Sequence, residues 1–288
     1  MKYQDELERF YNRKILKYGI LTMKDLLPLH EVNNLAKQIL ETNEAECLRP
    51  LINTVRKNLA IITSQYSIDT PLWRARKCND TQIGFESIDD IMQPPAKITP
   101  NNRLNNAGEP ILYLSTGPHA VLSETHANIG DIFHIAGFKF RENKSIKCAS
   151  IGEISRYYKW QDSTSSEVLD RLIADTNPRD IDSLIFTDTF LASLLSDRNA
   201  KNNDYVHTRI LADLLFQNNE IDAITYPGVE SEQQKSFAIK PEVIDSTFKI
   251  ADSIVIQVTE KYLCGMYGFK IIRQAKPIDM TNRIIIWE

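Results

Sequence analysis

The chain has 288 residues, 42% hydrophobic and 25% charged, with a formal net charge of −4. These proportions suit a folded, water-soluble chain able to bury a large core, as one domain with an appendage or as two modest ones. The mixed charges contain no long basic tract, which argues against a nucleic-acid groove or a membrane-surface patch, and no apolar run nears the roughly 18 residues of a membrane span.

The N-terminal stretch MKYQDELERFYNRK lacks the apolar centre of a signal peptide, so a cytoplasmic protein is expected. Its four cysteines, Cys47, Cys78, Cys148 and Cys264, lie far apart without metal-ligand spacing. Reduced, mostly buried thiols are the expectation. His126 and His134 do not form a ligand pair on one helix face, so no metal is expected either.

In chain order, residues 1–70 read as an N-terminal helical module. DELERFYNRKILKYG (5–19) and VNNLAKQILETNEAECLRPLINTVRKNLAIITSQ (32–65) space their apolar residues three and four apart, with one break at Pro50. At residue 71 the texture changes, and 71–288 reads as the main domain. PLWRAR (71–76) is a strand, followed by a loop through Pro94, Pro95 and Pro100. EPILYLST (109–116) is a second strand, PHAVLSETHA (118–127) a helix with Pro118 in its first turn, and GDIFHIAGFKF (130–140) a third strand.

The middle turns helical, in SSEVLDRLIAD, TDTFLASLLSDRN and DYVHTRILADLLFQNN, each opened by a plausible Ser, Thr or Asp cap. Strands follow in IDAITYPGV and KSFAIKPEVID, and the alternating tail, SIVIQVTEKY and GFKIIRQAKPIDMTNRIIIWE, should add antiparallel strands. The fold class is therefore mixed α+β with an N-terminal helical extension.

Chemistry concentrates in NNRLNNAGEPILYLSTGPHAVLSETHA (101–127). Arg103 lies in an Asn-rich loop, and a guanidinium's planar fork suits a diphosphate. Tyr113 lies in the following strand, sharing a face with Ile111 and Ser115, and offers a stacking surface with a polar tip. Glu124, on the next helix, should face back toward the strand's end beside Ala120 and Ala127. Taken singly, each has a plainer role: solvated charge, core aromatic, exposed carboxylate.

The run NNRLNNAGEPILYLSTGPHAVLSE resembles the core signature of the RES domain family. The matching positions are Arg103, Asn105, Gly108, Pro110, Tyr113 and Glu124, preceded by LWRAR and followed by DAITYPGV and SFAIKP. The resemblance covers roughly residues 72–245. It implies an ADP-ribosyltransferase-like fold with a mixed or antiparallel β core. It also implies that NAD is a substrate rather than a cofactor, and that the activity belongs to a toxin paired with a cognate antitoxin. In that reading Glu124, Arg103 and Tyr113 are catalytic, and Arg103, Tyr113, Arg74, Arg76 and Ser231 bind NAD. Arg74 and Arg76 are equally suited to pairing with a neighbouring carboxylate.

One position departs from the family pattern. Where the family has Tyr-Pro-Ser, this chain has Tyr226-Pro227-Gly228, and neither Ser231 nor Ser236 occupies the motif position. Three activities follow as expectations. The first is cleavage of the nicotinamide–ribose bond by a glycohydrolase or phosphorylase. The second is ADP-ribosylation of a protein, and the third is a catalytically degenerate module that only binds a nucleotide or partner.

Overall fold

A computed structural model describes residues 16–20, 26–59, 61–79, 84–160, 166–229, 234–276, 278 and 281–288. The N-terminal part is not all helix. Strand β1 (Leu16–Ile20) precedes helices α1 (Leu29–Glu41) and α2 (Ala45–Lys57), and strand β2 (Ile62–Tyr66) follows them. The helical spacing that carries Val32, Ala36 and Ile39, and then Leu48, Ile52 and Val55, into the core starts after β1 and ends before β2. Helix α2 runs through Pro50 rather than breaking there. Proline forgoes one hydrogen bond to the preceding turn, but burial of the apolar stripe on both sides of it offsets that loss.

The remaining elements are β3 (Leu72–Lys77), β4 (Leu112–Ser115), α3 (Pro118–Glu124), β5 (Ile132–Phe140), β6 (Ile146–Ser150), α4 (Glu153–Trp160), α5 (Ser166–Asp175) and α6 (Ile181–Ser196). After them come α7 (Val206–Phe216), β7 (Ala223–Pro227), β8 (Lys235–Ile239), α8 (Ile244–Thr247), β9 (Phe248–Lys261) and β10 (Tyr267–Gln274). The expected helix at 118–127 is shorter than its sequence suggests. Thr125 turns its hydroxyl back onto the carbonyls of Val121 and Leu122, and His126 is left-handed with φ 51°. Helix α6 begins before Thr187, the cap expected from sequence, which is buried inside it.

Among the described residues ten strands form one sheet, in the order β1-β2-β6-β7-β8-β4-β3-β5-β9-β10. Only β6 and β7 run parallel; the other neighbours are antiparallel. Strand alternation sorts the two faces. Ala149, Ile224 and Ala238 meet the helical layer of α1, α2, α6 and α7. Their neighbours Cys148, Ala223 and Phe237 join Leu112, Phe138 and Phe248 on the opposite face. The N-terminal helices thus share one core with the strands, and β2 pairs with β6. Helix α3 packs Leu122 against Phe133, Ile135 and Ile256. Among the described residues no helix is long and apolar enough to cross a membrane.

At the centre of the sheet β3 and β4 meet through a single pair, Trp73 with Ser115. On either side of them, β5 and β8 pair over full strand lengths. Beyond Trp73–Ser115 the two strands splay, which leaves backbone groups of β4 without a ladder partner.

His134, on β5, illustrates how closely the second face is packed. It is fully buried, its Nδ1 accepts the Phe85 N–H at 3.3 Å, and its Nε2 lies 2.5 Å from the Ser253 hydroxyl. The acceptor role of Nδ1 requires the neutral ring. Burial, and then Arg76, draw its pKa down to about 3. The unfolded imidazole protonates near 6.5, so between those values only the unfolded chain binds this proton and stability falls as pH falls. Asp188, raised to about 6 by burial, has the opposite sign below that pH, because there only the folded chain holds its proton. A comparison with His134→Gln isolates the histidine. The wild type should lose about 2 kcal/mol more than the variant between pH 7 and pH 5 in urea unfolding; equal losses would mean the ring is charged in the fold.

Candidate functional site

The splay between β3 and β4 opens into a cavity of about 280 Å³, closed by the 94–105 loop on one side and α3 on the other. Arg74, Arg103, Tyr113, Glu124, Tyr226, Ser115 and Ser236 all line it. Four of the residues named from the sequence thus come together. Arg76 does not. It shares its face of β3 with Arg74 but lies one rung further along, with its guanidinium 4.4 Å from the Phe85 ring centroid. It is held by the Asp90 backbone carbonyl and, at 3.5 Å, by the Asp90 carboxylate. Arg76 thus meets a carboxylate, though one from the turn at Ile88–Asp90 and not from the neighbouring strand that the sequence suggested. Ser231 lies outside the described residues.

Arg74 occupies the splay itself. Its Nη1 donates to the Tyr113 carbonyl at 3.3 Å, taking the place of a missing strand partner. Its Nε is enclosed and has no hydrogen-bond partner. Burial, and then the neighbouring Arg76 charge, lower its pKa to about 10, so it remains a cation at neutral pH. A buried donor without an acceptor is costly, of the order of 1–3 kcal/mol and more when charged.

Arg103 is presented by a loop that Tyr113 builds. The Tyr113 hydroxyl accepts the Leu104 N–H and donates to Asn105 Oδ1, both at 2.9 Å. Asn105, itself buried, ties back to the carbonyls of Pro100 and Asn106. Both valences of the phenol are therefore taken, and burial pushes its pKa far above the usual range. The polar tip expected of Tyr113 serves the protein itself: the hydroxyl holds the loop, while the residue lines the cavity. Gly108, with φ 82°, closes the loop through its N–H to the Thr99 carbonyl.

Arg103 donates through Nη1 to the carbonyls of Leu195 and Asp197 at the end of α6, and its guanidinium lies 5.6 Å from the Tyr205 ring centroid. Tyr205 and Asp204 are both left-handed, with φ 58° and 54°. Such conformations cost on the order of 1–3 kcal/mol each and mark a geometry enforced by its surroundings. Arg209 anchors the same turn, donating to Asp204 and, at 2.7 Å, to Asn106.

Glu124 ends α3, and its Oε1 accepts the Val229 N–H at 2.8 Å. It lines the cavity with Val121 and Thr125 rather than with the expected Ala120 and Ala127, because the helix stops at this residue. Tyr226 stands nearby; burial and then the Glu124 charge push its phenol well above its ordinary pKa, and Ser236 hydrogen-bonds it. The Ser236 hydroxyl is also 3.3 Å from that of Ser115. Strand register produces this group, with Ser236 opposite Ser115 on one side and Tyr226 on the other.

Tyr205 carried no signal in the sequence; Tyr226 was visible only within the Tyr-Pro-Gly segment and Ser115 only as a face-mate of Tyr113, and long-range strand pairing is what brings those two together. Ser236 was visible only as a serine near the departing motif. Among the described residues no cluster of three or more His, Cys, Asp or Glu side chains is arranged to hold a metal. In comparisons with known proteins, no family model matches the chain, and no curated protein or solved structure matches it significantly.

Proposed function

We propose that this chain consumes NAD by cleaving its nicotinamide–ribose bond in the cavity between β3 and β4. The observation that carries the reading is that Arg74, a buried guanidinium with an unpartnered Nε, lines the same small cavity as a carboxylate, Glu124. A ligand with an anionic part and a part that develops positive charge satisfies both groups. NAD is such a ligand: its diphosphate suits Arg74 and Arg103, and its glycosidic carbon becomes oxocarbenium-like as the bond breaks.

In this reading the bonding pair of the glycosidic link moves onto the pyridine nitrogen, and nicotinamide leaves neutral, without a general acid. Glu124 faces the cationic ribose and stabilises it, its orientation fixed by the Val229 N–H. The acceptor then attacks the same carbon, and Glu124 can take its proton. The Tyr113 ring borders the nicotinamide, while Arg103 and Arg74 hold the diphosphate. Gly228 lacks the family hydroxyl, but Ser236 places one in the same cavity beside Tyr226. That favours turnover over a degenerate binding module.

An enzyme of this kind would act on a cytoplasmic NAD pool, as a toxin held in check by a protein that covers the cavity. Transfer to a protein side chain, the second reading, uses the same groups with a different acceptor. Calorimetry with the Glu124→Gln protein separates binding from turnover. NAD should bind, and Arg103→Ala in that background should weaken it about 10–100-fold, the worth of a charge-assisted phosphate contact. Unchanged affinity would contradict the diphosphate assignment.

A further inference from the structure

A second cavity, of about 200 Å³, lies behind Tyr226 and is lined by α4 along its length, one face of α6 and the ends of β7 and β8. Its two sides differ in chemistry. Helix α4 contributes Arg156 and Lys159, three residues apart and so on one face, and β8 contributes Lys235. Lys235 pairs with Glu153 at 2.6 Å, with side chains only 14% and 5% exposed. The N-terminus of α4 is not an anion site, because the Asp188 carboxylate already takes the N–H groups of Gly152 and Ser155 at 2.8 and 2.9 Å.

On the facing side α6 presents Thr189, Ser193 and Ser196. Each hydroxyl already donates within its own helix, to the carbonyls of Ile185, Phe190 and Ala192 at 2.7, 2.7 and 2.9 Å. What these oxygens retain is acceptor capacity. The cavity therefore has a cationic wall and, facing it, a wall of hydroxyl acceptors. A compact ligand with an anion at one end and hydroxyl donors at the other is complementary to both walls. Its volume, below that of a typical whole-ligand pocket, suits a fragment of that size.

We propose that this second cavity binds a ribose phosphate. The two cavities share a wall. Tyr226 lines both, and Ser196 lies between Leu195 and Asp197, whose carbonyls receive Arg103. On the NAD reading above, on which this step alone rests, the cavity is the subsite for the ribose phosphate remote from Glu124.

Calorimetric titrations with ribose 5-phosphate, inorganic phosphate and nicotinamide mononucleotide test the proposal on the full chain. The variants are Arg156→Ala with Lys159→Ala, and separately Ser193→Leu, which fills the hydroxyl wall. Ribose 5-phosphate should bind the wild type and lose at least tenfold in affinity in both variants. Nicotinamide mononucleotide should bind all three proteins alike. Absence of ribose 5-phosphate binding, or equal affinity in the variants, would overturn the proposal. Phosphate binding as tightly as the sugar phosphate would overturn its sugar half. A wild type that binds ribose 5-phosphate through these residues but leaves NAD intact would instead defeat the reading of the first cavity, leaving this one standing.

Discussion

Glu124→Gln should lower nicotinamide release from NAD about 10³-fold, the scale of losing one preorganised electrostatic contact to a charged transition state. Stability should stay within about 0.5 kcal/mol, because the glutamine carbonyl still accepts the Val229 N–H while the half-buried negative charge is removed. The effect should fall on kcat rather than KM, since the carboxylate is needed only once positive charge develops. A variant that turns over NAD as fast as the wild type would remove Glu124 from the chemistry. One that fails to fold would show that the carboxylate serves the Val229 loop instead.

Arg74→Met should separate stability from binding. In the wild type a cation is enclosed with an unpartnered Nε, and among the described residues its hydrogen bond is a 3.3 Å contact to the Tyr113 carbonyl. Replacing a buried charge of this kind with an apolar side chain of similar length is often neutral or stabilising by a few kcal/mol. Denaturant unfolding should therefore show no loss, although the Tyr113 carbonyl gives up its donor. NAD affinity should fall about 10–100-fold, as a charge-assisted contact to phosphate is worth about 1.5–3 kcal/mol. Strong destabilisation with unchanged affinity would mean that Arg74 is a structural plug in the sheet and not a ligand group.

The part of the site that was legible in the sequence is the part built locally. Arg103, Tyr113 and Glu124 belong to one loop–strand–helix unit, and Pro118 at the first turn of α3 fixes where the helix starts. The fate of Arg74 and Arg76 was not legible. The two share a strand face, and what separates them is the arrival of Phe85 and Asp90 over Arg76. The use of the Tyr113 hydroxyl was equally hidden, because Leu104 and Asn105 meet it only once the loop has folded back.

The same reasoning covers the fold. The buried helical stripe at Val32, Ala36 and Ile39 follows from period alone, whereas the strand at 132–140 was legible as an apolar run and that at 248–261 only from Ser253 onward. Strand β2 escaped because its apolar run continues the preceding helix without a breaker, and its identity is decided by pairing with β6, far along the chain. Strand β6 itself is short, and its Lys147 and Ser150 give no alternation strong enough to mark it. The second cavity was invisible for the same cause: α4, α6 and β8 meet there only in three dimensions.

The most direct test is nicotinamide release from NAD by the purified wild-type protein, followed with and without inorganic phosphate. The account predicts release, and a dependence on phosphate would name the acceptor. A folded protein that binds NAD and releases no nicotinamide under either condition would contradict cleavage to water or phosphate as the function of the cavity between β3 and β4.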